Sequence, residues 1–332
     1  MESAPVDRSR AAEETARTAL RRAFGTTPCD ALRLLNGGAS GAFPFRADVG
    51  GRQYLVRVEG AASPLRNPRQ YDSMAIAAAA GIAPVLHHAD EAERVAVLDF
   101  VDECPLAAYP GGRAALATAL GELLAQLQAT PPFPPFMAYP DIVQRLWAHV
   151  CRTGLFAPGA LDPHTERLDR IRAGLRREAV RPVSSHGDPV PRNILFDGRR
   201  LWLIDWESAC ANDPLVDAAI MLDNLAPTPE LEGLFLAAWL GRAPGEDLRG
   251  RLAAVRALTR LYYAGVLLSA AAAAFGAVAQ PDLAAPSAPE FEKAVRTGLL
   301  HPGTPATKFT LGRMYLAAFA TDAVPPGLEA ST

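Results

Sequence analysis

The chain has 332 residues, 49% of them hydrophobic, enough to bury one large core or two moderate ones that share a cleft. Its 33 basic and 36 acidic residues leave a formal charge of -3 and are spread along the sequence, which excludes the electrostatic footprint of a nucleic-acid or anionic-membrane binder. A small-molecule partner is expected.

Residues 8–24 place Ala and Leu at helical spacing among Arg and Glu and stop at Gly25, with Pro28 beyond, so an amphipathic helix opens the chain. This opening mixes acids and bases and lacks the apolar core of a signal peptide, which predicts a cytoplasmic protein. The period then changes. Leu32, Leu34 and Leu35 lead into Gly37-Gly38-Ala39-Ser40-Gly41, followed by Phe43 to Ala47, a turn at Gly50-Gly51, and Tyr54 to Val58: strand, glycine loop, strand, turn, strand. A helix over 70–80 stops at Gly81, and apolar segments 83–86 and 95–101 complete a small antiparallel sheet.

After residue 102 the pattern turns helical, with helices expected over 114–127, 141–150 and 163–179 around a Pro-rich stretch at 131–135. Two short β-like runs, 193–196 and 201–204, flank Asp197-Gly198 and predict a hairpin. Residues 214–320 read almost entirely as helix. The apolar run 262–278 is Ala-rich and barely long enough for a bilayer, so it is expected to be a buried helix. Cys29, Cys104, Cys151 and Cys210 show neither CxxC pairing nor a disulfide framework, and reduced thiols follow. The expected fold is α+β and two-lobed, with residues 1–102 forming a small sheet lobe and 103–332 a larger helical one.

The chemistry concentrates in Ser185-His186-Gly187-Asp188-Pro189-Val190-Pro191-Arg192-Asn193-Ile194-Leu195-Phe196 and in Leu203-Ile204-Asp205-Trp206-Glu207. Phosphoryl transfer needs a carboxylate to take the acceptor's proton and oxygen ligands to hold magnesium against a triphosphate. A hairpin that starts near Asn193 and ends near Asp205 brings two such ligands together, with Asp188 on the preceding loop. His186, Asp188 or Asn193 taken singly would serve as an ordinary turn or cap, and it is the joint pattern that specifies a metal and phosphate site. The glycine loop, with Gly38, Ser40 and Gly41, lies between two strands, where backbone amides can approach phosphates without a Cβ in the way.

These two segments resemble the catalytic and metal-binding segments of the aminoglycoside phosphotransferase and choline kinase superfamily, a branch of the protein-kinase-like fold. The resemblance implies ATP and magnesium as cofactors, Asp188 as catalytic base, Asn193 and Asp205 as magnesium ligands, His186 as a scaffold of the catalytic loop, and Asp217 as its brace. It makes the glycine loop a nucleotide-positioning loop, although Gly41 stands where an Asn is often found. Arg57 occupies the place of the phosphate-contacting lysine, an arginine typical of the choline kinase branch, and it should pair with an acid on the following helix, where Gln70 and Asp72 stand. Asp99 and Val101 fall on the strand and linker whose backbone would read the adenine edge.

The acceptor is less legible. Trp206, Glu207 and Asp213 beside the metal acid, with Trp147, Tyr262 and Tyr263, suit a pocket for a cationic amino alcohol such as choline or ethanolamine, or else they pack the helical core. An aminoglycoside O-phosphotransferase would share every catalytic residue. A catalytically silent nucleotide-binding protein and a phosphohydrolase using the same metal site are the other readings.

Overall fold

The structure, a computed structural model, describes residues 5–35, 41–60, 67–177, 180–280 and 282–321. The opening helix α1 (Pro5–Phe24) turns Ala12, Ala16, Ala19 and Leu20 inward, and Gly25 ends it at φ 65°, where its N–H bonds back to the Arg21 carbonyl. That buried face lies on a five-stranded antiparallel sheet built from β1 (Cys29–Leu34), β2 (Phe43–Val49), β3 (Arg52–Val58), β4 (Leu86–Asp90) and β5 (Val95–Asp99), in the order β1-β2-β3-β5-β4. Gly50 and Gly51, both at positive φ, make the tight β2–β3 turn.

The sheet's two faces have different work, and the alternation in β3 assigns them. Tyr54, Val56 and Val58 are buried under α1 with Phe45, Ala47, Val95 and Val97. The intervening Leu55 and Arg57 face a cleft. The helix that follows the sheet hairpin, α2 (Gln70–Ala79), packs with the second lobe: Tyr71, Met74 and Ala77 join the large helical core. The segment expected as a strand over 83–86 instead plugs this core with Ile82 and Ala83, and β4 begins only after Pro84, which has no N–H to give to a ladder.

In the second lobe, α3 (Gly112–Gln128), α4 (Tyr139–Arg152), α5 (Asp162–Leu175), α6 (Leu215–Leu225) and α7 (Pro229–Leu240) gather around α8 (Glu246–Phe275) and α10 (Pro305–Thr321), with α9 (Ala288–Arg296) between the last two. By length and composition α8 could cross a bilayer, but 61% of its apolar stretch is buried against these neighbours. The helical expectation for 214–320 fails at 276–280 and 282–287, which have no regular helix once Gly276 ends α8. Two miniature sheets carry the site: β6 (Val183–Ser185) pairs with β9 (Cys210–Asn212), and β7 (Ile194–Phe196) pairs with β8 (Leu201–Leu203). The second is the expected hairpin. All four cysteines are free thiols, and burial pushes Cys210 up to about 12, so it is inert packing.

Gly121 tests the α3–α7 contact. A Cβ there would stand 2.4 Å from the Phe235 carbonyl oxygen, a backbone atom that cannot step aside, whereas Gly233 on α7 has open space around it. Gly121→Ala should cost roughly 1–3 kcal/mol through overpacking despite alanine's better helix propensity. Gly233→Ala should be neutral or slightly stabilising. Thermal melts followed by circular dichroism compare the two.

Candidate active site

The loop between β6 and β7 is held from beneath by one carboxylate. Asp217, fully buried in the first turn of α6, accepts hydrogen bonds from the Ser185 hydroxyl (2.9 Å), the His186 amide (2.7 Å) and the Gly187 amide (2.8 Å). Gly187 sits at φ 82°, and a Cβ there would meet the Ser208 carbonyl at 2.6 Å, so the turn admits only glycine. His186 is also buried. Its Nε2 donates to the Ile204 carbonyl (2.8 Å) and its Nδ1 accepts from the Asp188 amide (3.3 Å), tying the loop to the end of β8.

The loop then presents Asp188 to the cleft. The Tyr263 hydroxyl donates to its Oδ1 (2.7 Å), while Arg192 (3.2 Å) and the Asn193 amide (3.1 Å) reach Oδ2. Burial pushes the Asp188 carboxyl above its ordinary value, and the Arg192 charge and the Tyr263 hydrogen bond oppose that shift. The β7–β8 register brings the next pair together: Ile194 lies opposite Leu203, and the Ile204 amide bonds to the Asn193 carbonyl (3.0 Å), so Asn193 and Asp205 emerge side by side. Both hydrogens of the Asn193 amide go to Asp188, which turns its Oδ1 away as an acceptor. Asp205 holds a left-handed backbone, φ 66°.

From the roof, Arg57 reaches down. Its Nε donates to Glu59 (2.7 Å) and its Nη2 to Asp205 (2.7 Å), with Glu207 at 3.6 Å. Burial works against the guanidinium's charge, but Asp205 and Glu59 more than offset it, so it is held more firmly charged than a free arginine. The acidic partner expected on the following helix is therefore corrected. Gln70 is buried, Asp72 pairs with Arg69 on the surface, and the acids on Arg57 come from its own strand end and the opposite lobe.

Arg57, Asp188, Arg192, Asn193, Asp205 and Glu207 line one cavity of about 880 Å³ between the sheet and the helical lobe. Its back wall runs from Asp99 to Glu103 and includes Val101. The Asp99 amide already bonds to the Val85 carbonyl (2.9 Å) and its carboxylate to His87 (2.7 Å). Gly41, at φ 69°, lies so close to Gly60 that a Cβ on Gly60 would stand 2.3 Å from the Gly41 oxygen. Gly38 and Ser40 lie outside the described residues.

Three side chains expected in an acceptor pocket are elsewhere. Trp206, 2% exposed, packs its indole against His186 and Phe133 in the core. Asp213 caps α6 and pairs with Arg251, and it does not line the cavity. Trp147 is buried against His164 and donates to Thr165. Glu207, Tyr262 and Tyr263 do line the cavity. Sequence reasoning missed Glu59, although its place two residues after Arg57 on one strand face was a usable signal. It also missed Tyr263 as a partner of Asp188, because 75 residues separate them and no local pattern links the two.

A two-lobed fold with this cleft is that of kinase-like phosphotransferases. The sequence model of the phosphotransferase enzyme family matches residues 31–262, and the chain belongs to that family as a small-molecule phosphotransferase. No curated protein sequence matches. Among solved structures it is similar to a choline/ethanolamine kinase family protein from Mesorhizobium loti (22% identity, TM-score 0.62, covering 80% of this chain and 88% of that one). It is similar also to LicA in complex with AMP (14%, TM-score 0.65, 92% and 98%) and to the GDP complex of aminoglycoside 2'-phosphotransferase-IIIa (16%, TM-score 0.55, 76% and 91%). At these identities the likeness is one of fold.

Tyr263 generates a prediction with a sign. Its hydrogen bond favours the Asp188 carboxylate, so Tyr263→Phe should raise the Asp188 pKa further and move the acid limb of the pH–rate profile to higher pH. The profile of kcat/KM for the variant against the parent measures it.

Proposed function

We propose that the protein transfers the γ-phosphoryl group of ATP to a hydroxyl of a small molecule. The observation that carries this reading is the convergence of Asp188, Asn193, Asp205 and Arg57 on one cleft, with Asp188 held by Tyr263 of α8, Asn193 by Asp188, and Asp205 by Arg57 of the sheet. Asp188 takes the acceptor's proton as its oxygen approaches phosphorus in line with the leaving ADP oxygen. Its raised pKa makes it a better proton acceptor than an ordinary aspartate, and the same shift means that activity fades at a higher pH on the acid side. Arg57 grips phosphate from above with a fork that a lysine lacks. The Asp99 carbonyl and the Val101 N–H read the adenine edge, since the Asp99 N–H is committed to Val85.

The donor set suits magnesium. An amide oxygen and a carboxylate standing side by side are hard oxygen ligands, and magnesium characteristically takes one or two protein oxygens and completes its shell with phosphate and water. Asn193 and Asp205 would hold it. When bound, magnesium neutralises charge on the phosphates. A cytoplasmic setting, with its ATP, agrees with this reading.

The acceptor expected from sequence was choline or ethanolamine, with an aminoglycoside as the alternative. With Trp147, Trp206 and Asp213 outside the cleft, support for a cation cage shrinks to Tyr262, Tyr263 and Glu207. A silent nucleotide-binding protein would have no use for Asp188, which is held by three donors yet faces the cavity.

Magnesium-dependent ADP release from ATP, measured over a panel of alcohols, tests the reading. Asp188→Asn should lower kcat by about 10²- to 10⁴-fold while leaving ATP affinity within a few-fold. Asp205→Asn should weaken magnesium-dependent ATP binding as well, by roughly tenfold or more. Equal and small effects from both would overturn the roles. Arg57→Lys should raise the KM for ATP by about tenfold with a smaller change in kcat, because a point charge replaces a two-pronged grip.

A further inference from the structure

Beyond Asp188 the cleft runs along α8. Tyr262, Val266 and Ala270 recur every fourth residue, share one helix face, and all line the cavity. Val266 is 39% exposed, an apolar side chain left open inside a cleft. Leu267 lines it too.

The far end of this track is charged. α10 packs antiparallel to α8: Tyr315 lies 5.8 Å from the Tyr263 ring, Gly312 rests on Leu268, and Phe309 lies 6.0 Å from Phe275. Lys308, beside Phe309, therefore stands toward the Phe275 end, away from Tyr263 and Asp188, and its side chain lines the cavity. It forms no ion pair among the described residues. At 1.5 Å per residue, the twelve residues from Tyr263 to Phe275 put about 18 Å between the backbones at the Asp188 end and at the Lys308 end, a span that the lysine side chain shortens. Among the described residues, α8 and α10 contribute no carboxylate to the cavity lining. The cation at the near end is Arg192, whose side chain is 40% exposed.

Resting on the phosphotransferase reading, we propose that the acceptor is an aliphatic hydroxy acid: its hydroxyl at Asp188, its apolar body along Val266 and Ala270, and its carboxylate against the Lys308 ammonium. Arg192 is already matched by Asp188, and the acids of the lining, Asp99, Asp102, Glu103, Asp188, Asp205 and Glu207, stand on elements other than α8 and α10, so a quaternary amine or polyamine lying along this track would meet Lys308 with no acid from either helix beside it. In the step itself, the acceptor oxygen forms a bond to the γ-phosphorus and its proton passes to the Asp188 carboxylate. The bond from that phosphorus to the β–γ bridging oxygen breaks, and ADP leaves with the electron pair.

The test uses the full chain and ω-hydroxydecanoate as probe, beside its methyl ester, decanediol, choline, ethanolamine and kanamycin. Calorimetric titration in the presence of a non-hydrolysable ATP analogue measures binding, and magnesium-dependent ADP release measures turnover. The hydroxy acid should bind and be phosphorylated, with the ester and diol weaker by about 10- to 100-fold. Lys308→Ala should raise its KM by a similar factor with kcat changed little, and Lys308→Arg should restore most of the loss. Lys308→Ala should leave the ester's KM and the affinity for ATP unchanged. The proposal is overturned if the probe does not bind, if ester and acid are used equally, or if choline, ethanolamine or kanamycin is preferred. In those cases Asp188-dependent phosphorylation of another panel member would leave the phosphotransferase reading standing. Failure to bind ATP, or ADP release indifferent to Asp188→Asn, would remove both.

Discussion

Everything catalytic in this fold hangs on a carboxylate that never meets solvent. Asp217 lies at the start of α6, where burial pushes its carboxyl up, and two backbone amides and a serine hydroxyl from the β6–β7 loop work against that shift. Without it, two amides and a hydroxyl would be left buried without partners, each costing about 1–3 kcal/mol. The carboxylate thus fixes the backbone at His186 and Gly187. His186 carries the constraint on to Ile204, and the hairpin register carries it to Asn193 and Asp205. The site is positioned by backbone hydrogen bonds before any side chain in the cleft is considered.

A second chain of constraint comes from the sheet lobe. Asn67, just before α2, donates its side-chain amide to the Ala209 carbonyl (2.7 Å) and accepts from the Arg69 amide (3.0 Å), while its own backbone amide bonds to the Glu207 carbonyl (3.0 Å). Ser73 on α2 reaches the same Ala209 oxygen (3.4 Å). The segment after Asp205 is therefore clamped between its own lobe and α2. Arg57 adds the electrostatic link, a half-buried cation that answers carboxylates on both sides of the cleft.

Much of this was legible in the sequence, and the limits are physical. The glycine-terminated helices, the Gly50-Gly51 turn and the Asp197-Gly198 hairpin follow from local conformational rules, and they fell where the spacing put them. The grouping of Asp188, Asn193 and Asp205 was legible because it depends on one short hairpin. Strands β6 and β9 were not, since three residues carry no period and their pairing joins segments nearly thirty residues apart. Ala83 read as strand because an apolar run does not say whether it enters a ladder or plugs a core. Trp206 read as a ligand of the pocket because its neighbour Asp205 faces the cleft, but one step along a tight turn points a side chain the other way. The partners of Arg57 and Asp188 come from distant chain segments, and only the fold brings them together.

The packing of α2 separates sequence order from mechanical order. Its apolar face is continuous with the helical core, which Ala96 and Leu98 of β5 also enter, and its entry is tied to the segment 207–209, whereas the opposite face of the sheet keeps a separate core under α1. By sequence α2 belongs to the sheet lobe, and by packing it belongs to the core that the two lobes share.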